Sequence, residues 1–309
     1  MASTLPPFRL ALLAPRHWLA WLGLGLLWLL ARLPYPALIR TGRGLGWLIA
    51  RIPGSRRHIA KRNIELCFPE LTPDEQARML EQCLRDVGLM LVEFALAWMG
   101  SHQAIARVPV RIEGREHLDA ASAEGRGVLL TGAHFSHLEL AGRLLVEHAG
   151  VELAGMYREH GDAAFEWAIR RARSHYAATM FTKNEIRACV RYMRGGGRIW
   201  YAPDQDMRGK DTVFVPFFGV PASTLTATHH LARLSGARVI PFFHRRLPDG
   251  GYVLRLEAPL ADFPGSDVEH DTARVNAAIE RMAREAPTQY LWIHRRFKSR
   301  PEGQPPLYR

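Results

Sequence analysis

The sequence predicts an α/β protein with a mostly parallel central sheet flanked by helices, and three observations lead there. From residue 108 onward, short apolar runs of strand length alternate with longer segments of helical periodicity, the pattern of parallel strands joined by crossover helices. Runs such as Val128–Thr131 are apolar without alternation, as strands covered on both faces are. The chain before residue 108 is basic and helical in period, so it precedes the sheet.

The elements can be justified in order. His17–Ala31 is a stretch of fifteen uncharged residues between Arg16 and Arg32. As a helix it would be about 23 Å long, short of the ~30 Å hydrocarbon core of a bilayer. With both arginines snorkelling and Trp18, Trp21 and Trp28 at the interfaces it is expected to be a membrane anchor, spanning or partly embedded. A signal peptide is the rival, but Pro34-Tyr35-Pro36 follows where a small-residue cleavage site is needed. Ala37–Ile52 alternates apolar residues with Arg40, Arg43 and Arg51, which suits either an anionic lipid surface or an ordinary bundle helix. Thr72-Pro73-Asp74-Glu75 reads as a helix start, with Leu80, Leu84, Val87, Leu91 and Phe94 at core spacing on the way to Met99. The expected division is an anchor at 1–34, a membrane-proximal helical segment at 35–107 and an α/β domain at 108–309.

Charge and composition narrow the function. Residues 1–62 hold ten Lys/Arg and no Asp or Glu, and so carry nearly all of the net charge of +11. A basic stretch that coincides with the most apolar part of the chain points to a lipid surface and away from nucleic acid. By the positive-inside rule it leaves everything beyond about residue 40 in the cytoplasm. Cys67, Cys83 and Cys189 have no paired spacing and read as buried thiols.

Strands are expected at Val108–Ile112, Val128–Thr131, Val151–Met156, Arg198–Tyr201, Arg238–Phe243 and Tyr252–Leu256. Helices are expected at Ser136–Glu147, Asp162–His175, Asn184–Arg194 and Ser223–Leu234, with a further one from Asp267 to Ala286. A parallel sheet carries its site at the carboxyl ends of its strands. There, TGAHFSHLEL (131–140) puts His134 where a strand hands over to a helix. Glu139 could steady one ring nitrogen of His134 and leave the other free as a general base. Metal ligation by His134, His137 and Glu139, or a plain structural histidine, are the alternatives. Arg158, the cluster Arg170, Arg171 and Arg173, and the carboxylates Asp204 and Asp206 fall at other strand ends; fixed guanidiniums suit phosphate or a developing oxyanion. VFVPFFGV (213–220) could line an acyl-chain groove or pack in the core.

Several of these stretches together resemble a known family: GAHFSHLEL (132–140), MYRE (156–159), WAIRRAR (167–173), IWYAPDQDMRGKDTVFVPFFG (199–219), LARLSGARVIPFF (231–243) and QYLWIHRRFKSRPEG (289–303). They are similar to the lipid A biosynthesis acyltransferases, the Kdo-dependent late, or secondary, lauroyl and myristoyl enzymes of Gram-negative bacteria. Glu at the fifth position after the histidine is more like the lauroyl-type branch. The resemblance implies a glycerol-phosphate-acyltransferase-like fold and transfer of an acyl chain from acyl carrier protein to a 3-hydroxyl of a primary acyl chain on Kdo-lipid IVA. It implies no metal and no cofactor, only the acyl carrier protein thioester as co-substrate. It also implies His134 as base, Glu139 as its partner, Arg173 as a catalytic-site arginine and Asp204 as the acid of the YAPD motif. Arg158, Arg170, Arg171, Asp206, Arg295 and Arg296 make up the expected substrate-binding set, and the bacterial inner membrane is the expected location, single-pass or monotopic, with the catalytic domain on the cytoplasmic side.

Overall fold

The computed structural model describes residues 7–308. Four helices come first: α1 (Trp18–Leu30), α2 (Tyr35–Ile49), α3 (Ser55–Cys67) and α4 (Pro73–Met99). Thr72 caps α4 as its sequence foretells: its hydroxyl accepts from Glu75 N–H while the Glu75 carboxylate accepts from Thr72 N–H, a reciprocal box that satisfies two end donors.

α5 (His102–Ala106) leads into β1 (Val110–Glu113), α6 (Arg115–Ala123), β2 (Val128–Thr131), α7 (Leu138–Ala149), β3 (Ala154–Tyr157), α8 (Ala163–Arg173), β4 (Met180–Thr182), α9 (Ile186–Arg194) and β5 (Arg198–Tyr201). A hairpin of β6 (Thr212–Phe217) and β7 (Val220–Leu225) follows. The chain then forms α10 (Ala227–Ser235), β8 (Arg238–Arg246), β9 (Tyr252–Leu256) and α11 (Val268–Glu285). The seven-stranded sheet has the order β1-β9-β8-β2-β5-β3-β4. All neighbours are parallel except β8 and β9, so the expected mostly parallel sheet is present. One core unites it with the preceding helices, since Leu38 of α2 and Val92 and Leu96 of α4 pack with Leu130, Leu140 and Ile240. All three cysteines are free and buried.

The expected inner-membrane placement on an N-terminal anchor is overturned. α1 has only 13 residues, about 20 Å of helix, and among the described residues no helix is long and apolar enough to cross a membrane. Turns of 3-10 helix precede it and Pro34 caps the helix that follows, so the apolar run does not extend. α1 instead docks on α8: His17 Nδ1 lies 2.8 Å from Asp162 Oδ2, and Trp21 packs on Trp167 with ring centroids 6.1 Å apart. Residues 1–6 of the expected anchor, and Arg309, lie outside the described residues.

α2 and α4 cross at backbone contact. A Cβ on Gly88 would sit 2.1 Å from Gly46 N, and one on Gly46 2.1 Å from Arg85 O. Gly88→Ala therefore must push the helices apart and is expected to destabilise the fold by at least about 1–3 kcal/mol. Gly44, on the open side of α2 with nothing within 4 Å, is the control: Gly44→Ala is expected to be neutral or to stabilise by up to about 1 kcal/mol. Denaturant midpoints of the two variants check both signs.

Candidate active site

Strand register builds the site. β2 and β5 are parallel neighbours with Thr131 opposite Tyr201. Three residues past each of these lie His134 and Asp204, so equal overhangs bring the two side chains together at the carboxyl ends of the strands. His134 N–H donates to Asp204 Oδ2 at 2.9 Å, and its Nδ1 lies 2.6 Å from Asp204 Oδ1. Because a carboxylate only accepts, Nδ1 carries the proton and Nε2 keeps its lone pair.

The electrostatics fit that tautomer. Burial alone would push the His134 pKa down, but the Asp204 charge and its hydrogen bond outweigh it and hold the imidazole above its ordinary value. For Asp204, burial pushes upward, and His134, both as charge and as donor, brings the carboxyl down to about 2. Asp204 is therefore ionised throughout the neutral range, with 2% of its surface exposed.

Glu139 does not partner His134, as the sequence had suggested. On the first turn of α7 it accepts from Arg173 Nε and Nη2, both at 2.7 Å, and from Tyr176 Oη at 2.6 Å. Burial raises its pKa, but Arg173 and Tyr176 more than reverse this, so it is lowered overall. The reason for the mismatch is geometric: the loop at Phe135–His137 turns His134 toward β5, while α7 aims Glu139 at the end of α8. His137, the third member of the metal alternative, is buried against His244 with ring centroids 4.7 Å apart, so each of those three side chains has a different partner.

A narrow cleft opens on the pair, lined by Asn63, His134, Asp204, Gln205, Tyr290, Leu291, His294 and Arg296. Half of this wall comes from residues 290–296. That segment is stitched to the His134 loop by Leu291 N–H on His134 O (2.9 Å) and Ser136 N–H on Gln289 O (2.8 Å). Arg296, expected in the substrate-binding set, is buried, and its Nη atoms donate to Ser223 O and Thr224 Oγ1, both at 2.7 Å. Asp206 faces inward as a tether, accepting from Ser299 N–H and Oγ at 2.9 and 3.0 Å. Arg158, Arg171 and Arg295 are exposed, Arg170 is half-buried, and Arg171 lies over the Trp167 ring. Asn63, Tyr290 and His294 are not among the expected site residues; the run QYLWIHRRF (289–297) is the available signal, since His294–Lys298 reads from sequence only as a headgroup contact or a brace for the final segment. VFVPFFGV forms β6 and the hairpin turn, with Val215 and Phe217 buried in the core.

A histidine with an open Nε2, backed by an ionised carboxylate at the mouth of a parallel sheet, is the arrangement a general base requires. Residues 5–299 match the pattern of the bacterial lipid A biosynthesis acyltransferases, and the chain belongs to that family. It is 41% identical to the lipid A biosynthesis lauroyltransferase of Escherichia coli K12, covering 99% of this chain and 100% of that one. To the palmitoleoyltransferase of the same organism it is 38% identical over 96% of both chains. The E. coli lipid A biosynthesis myristoyltransferase is 27% identical, so the likeness leans to the lauroyl-type branch. The protein is an acyltransferase of lipid A biosynthesis.

Proposed function

We propose that the protein transfers a lauroyl-type acyl chain from the thioester of acyl carrier protein to the 3-hydroxyl of a primary acyl chain on Kdo-lipid IVA. The chemistry supports this because a secondary alcohol is almost wholly un-ionised at neutral pH and needs a base as it attacks. His134 Nε2 takes the hydroxyl proton while Nδ1–H stays on Asp204, which stabilises the imidazolium that forms. The alcohol oxygen bonds to the thioester carbon, and charge builds on the carbonyl oxygen. Collapse then breaks the C–S bond, and the thiolate recovers the proton from His134. Glu139 and Arg173 lock α7 to α8 beside this centre, and exposed Arg158 and Arg171 are available to the acceptor's phosphates and Kdo carboxylates. The observation that carries the reading is the His134–Asp204 pair with Nε2 open to the cleft.

The purified protein, given lauroyl-acyl carrier protein and Kdo-lipid IVA, is expected to yield an acceptor heavier by one lauroyl group in the mass spectrum. No mass gain with lauroyl or any other acyl-acyl carrier protein would overturn the proposal.

A further inference from the structure

The cleft holds a second histidine whose tautomer is also set by the fold: the proton again sits on Nδ1, but here Nδ1, not Nε2, is the nitrogen left free. Asp206 N–H donates to His294 Nε2 at 3.1 Å, so Nε2 serves as the acceptor and the ring proton sits on Nδ1. The hold is reinforced on each side: Ser299 fixes the Asp206 carboxylate through two bonds, and Asn63 Nδ2 donates to His294 O at 2.7 Å. Nδ1 has no partner among the described residues and is not sealed from solvent. His134 and His294 both line the one cleft, the first with a free imidazole lone pair and the second with a free imidazole N–H.

Of the other side-chain donors on this wall, the Tyr290 hydroxyl is engaged by Asp204, and Arg296 Nε is buried away from solvent without a partner among the described residues. Asn63 Nδ2 is held by Trp292 O and His294 O, and the Arg296 Nη atoms by Ser223 and Thr224. Arg173, expected as the catalytic-site arginine, is engaged by Glu139. Gln205 has an amide but, among the described residues, no bond that aims it. Donors fixed in advance toward the atom where charge develops contribute most to catalysis, because nothing must reorganise during the reaction. Burial foremost, together with His134 and Arg296, lowers the His294 pKa despite the opposing carboxylates of Asp204 and Asp206, which favours the neutral ring that the Asp206 bond requires. Neighbouring groups pushed apart in this way fit separate base and donor roles.

We propose that His294 is a catalytic residue of the acyl transfer, donating its Nδ1–H to the thioester carbonyl oxygen as that atom becomes an oxyanion. His294 keeps its proton throughout; only His134 exchanges one. The inference rests on the acyl-transfer reading above, with Asp206 as the positioning residue behind His294.

Two substitutions separate donation from mere support. In His294→Asn the amide nitrogen lies near the Nδ1 position and can donate, but the acceptor for Asp206 is lost. In His294→Gln the side-chain oxygen lies near the Nε2 position and can accept from Asp206, but the Nδ1 donor is lost. With saturating lauroyl-acyl carrier protein, His294→Gln is expected to lose about 10²–10³-fold in kcat with little change in KM, and His294→Asn to retain at least tenfold more kcat than the Gln variant. An Asn variant no better than the Gln variant, or a Gln variant at the wild-type rate, overturns the proposal. Nitrogen NMR of the unaltered, histidine-labelled protein is expected to show His294 protonated at Nδ1 near neutral pH; protonation at Nε2 overturns it as well. Failure of the unaltered protein to transfer any acyl chain would instead count against the proposed function.

Discussion

Asp204→Asn is expected to lower kcat by about 10⁴-fold with the fold intact. An amide at this position can turn its NH₂ toward Nδ1, which forces the proton onto Nε2 and removes the base; the same tautomer error in another histidine–carboxylate site has an effect of that size. The pH profile gives a second sign. In the wild type the His134 pKa is raised, and only the neutral ring acts as base, so activity climbs with pH through a midpoint above about 6.5. Removing the Asp204 charge leaves burial dominant, so the residual activity of the variant should have its acid limb at lower pH. Initial rates across pH 5 to 9 test this. If Glu139→Gln displaced the limb and Asp204→Asn did not, the assignment of Asp204 as the partner would be wrong.

Glu93→Ala is expected to destabilise the protein by about 3–5 kcal/mol, because it strands a buried guanidinium. Arg246, at the end of β8, donates from Nε and Nη2 to Glu93 at 2.7 and 2.8 Å and from Nη2 to Ser136 Oγ at 3.1 Å, and its Nη1 reaches Asp86 Oδ1 at 3.3 Å. Both acids lie on the inner face of α4, and Ser136 belongs to the loop that carries His134, so activity should fall together with the melting temperature. Asp86 behaves differently. Burial, only partly offset by Arg246, pushes its carboxyl up to about 6. Between about pH 4 and 6 the folded chain retains a proton that the unfolded chain has lost, so this group makes stability decline as pH rises through that window. Asp86→Asn should flatten that slope and cost far less than Glu93→Ala. Urea titrations at pH 4.5 and 7.5 distinguish the two.

Much of the sheet was legible because buried parallel strands leave an unmixed apolar run. Val128–Thr131, Arg198–Tyr201 and Tyr252–Leu256 have the bounds their residues imply. β4, only three residues long, is too short to leave a pattern, and the end of β7 at Ser223–Leu225 merges in sequence with the genuine helix at Ala227–Ser235. His134 stood out at its strand end, but its partner did not, since neighbours in a sheet are fixed by strand order and register, neither of which a linear pattern carries. Glu139 was close in sequence; Asp204, seventy residues away, was close in space. The N-terminal apolar run misled for a related reason: its own length and hydropathy do not reveal that α8 offers it Asp162 and Trp167.

The stitching of residues 289–296 over the His134 loop bears on how the enzyme comes to life. Translation reaches residues 289–296 only after His134 and Asp204, so that pair is synthesised before Tyr290, His294 and Arg296 can close around it. A polypeptide halted short of residue 289 possesses His134 and Asp204 but lacks half of the wall that encloses them.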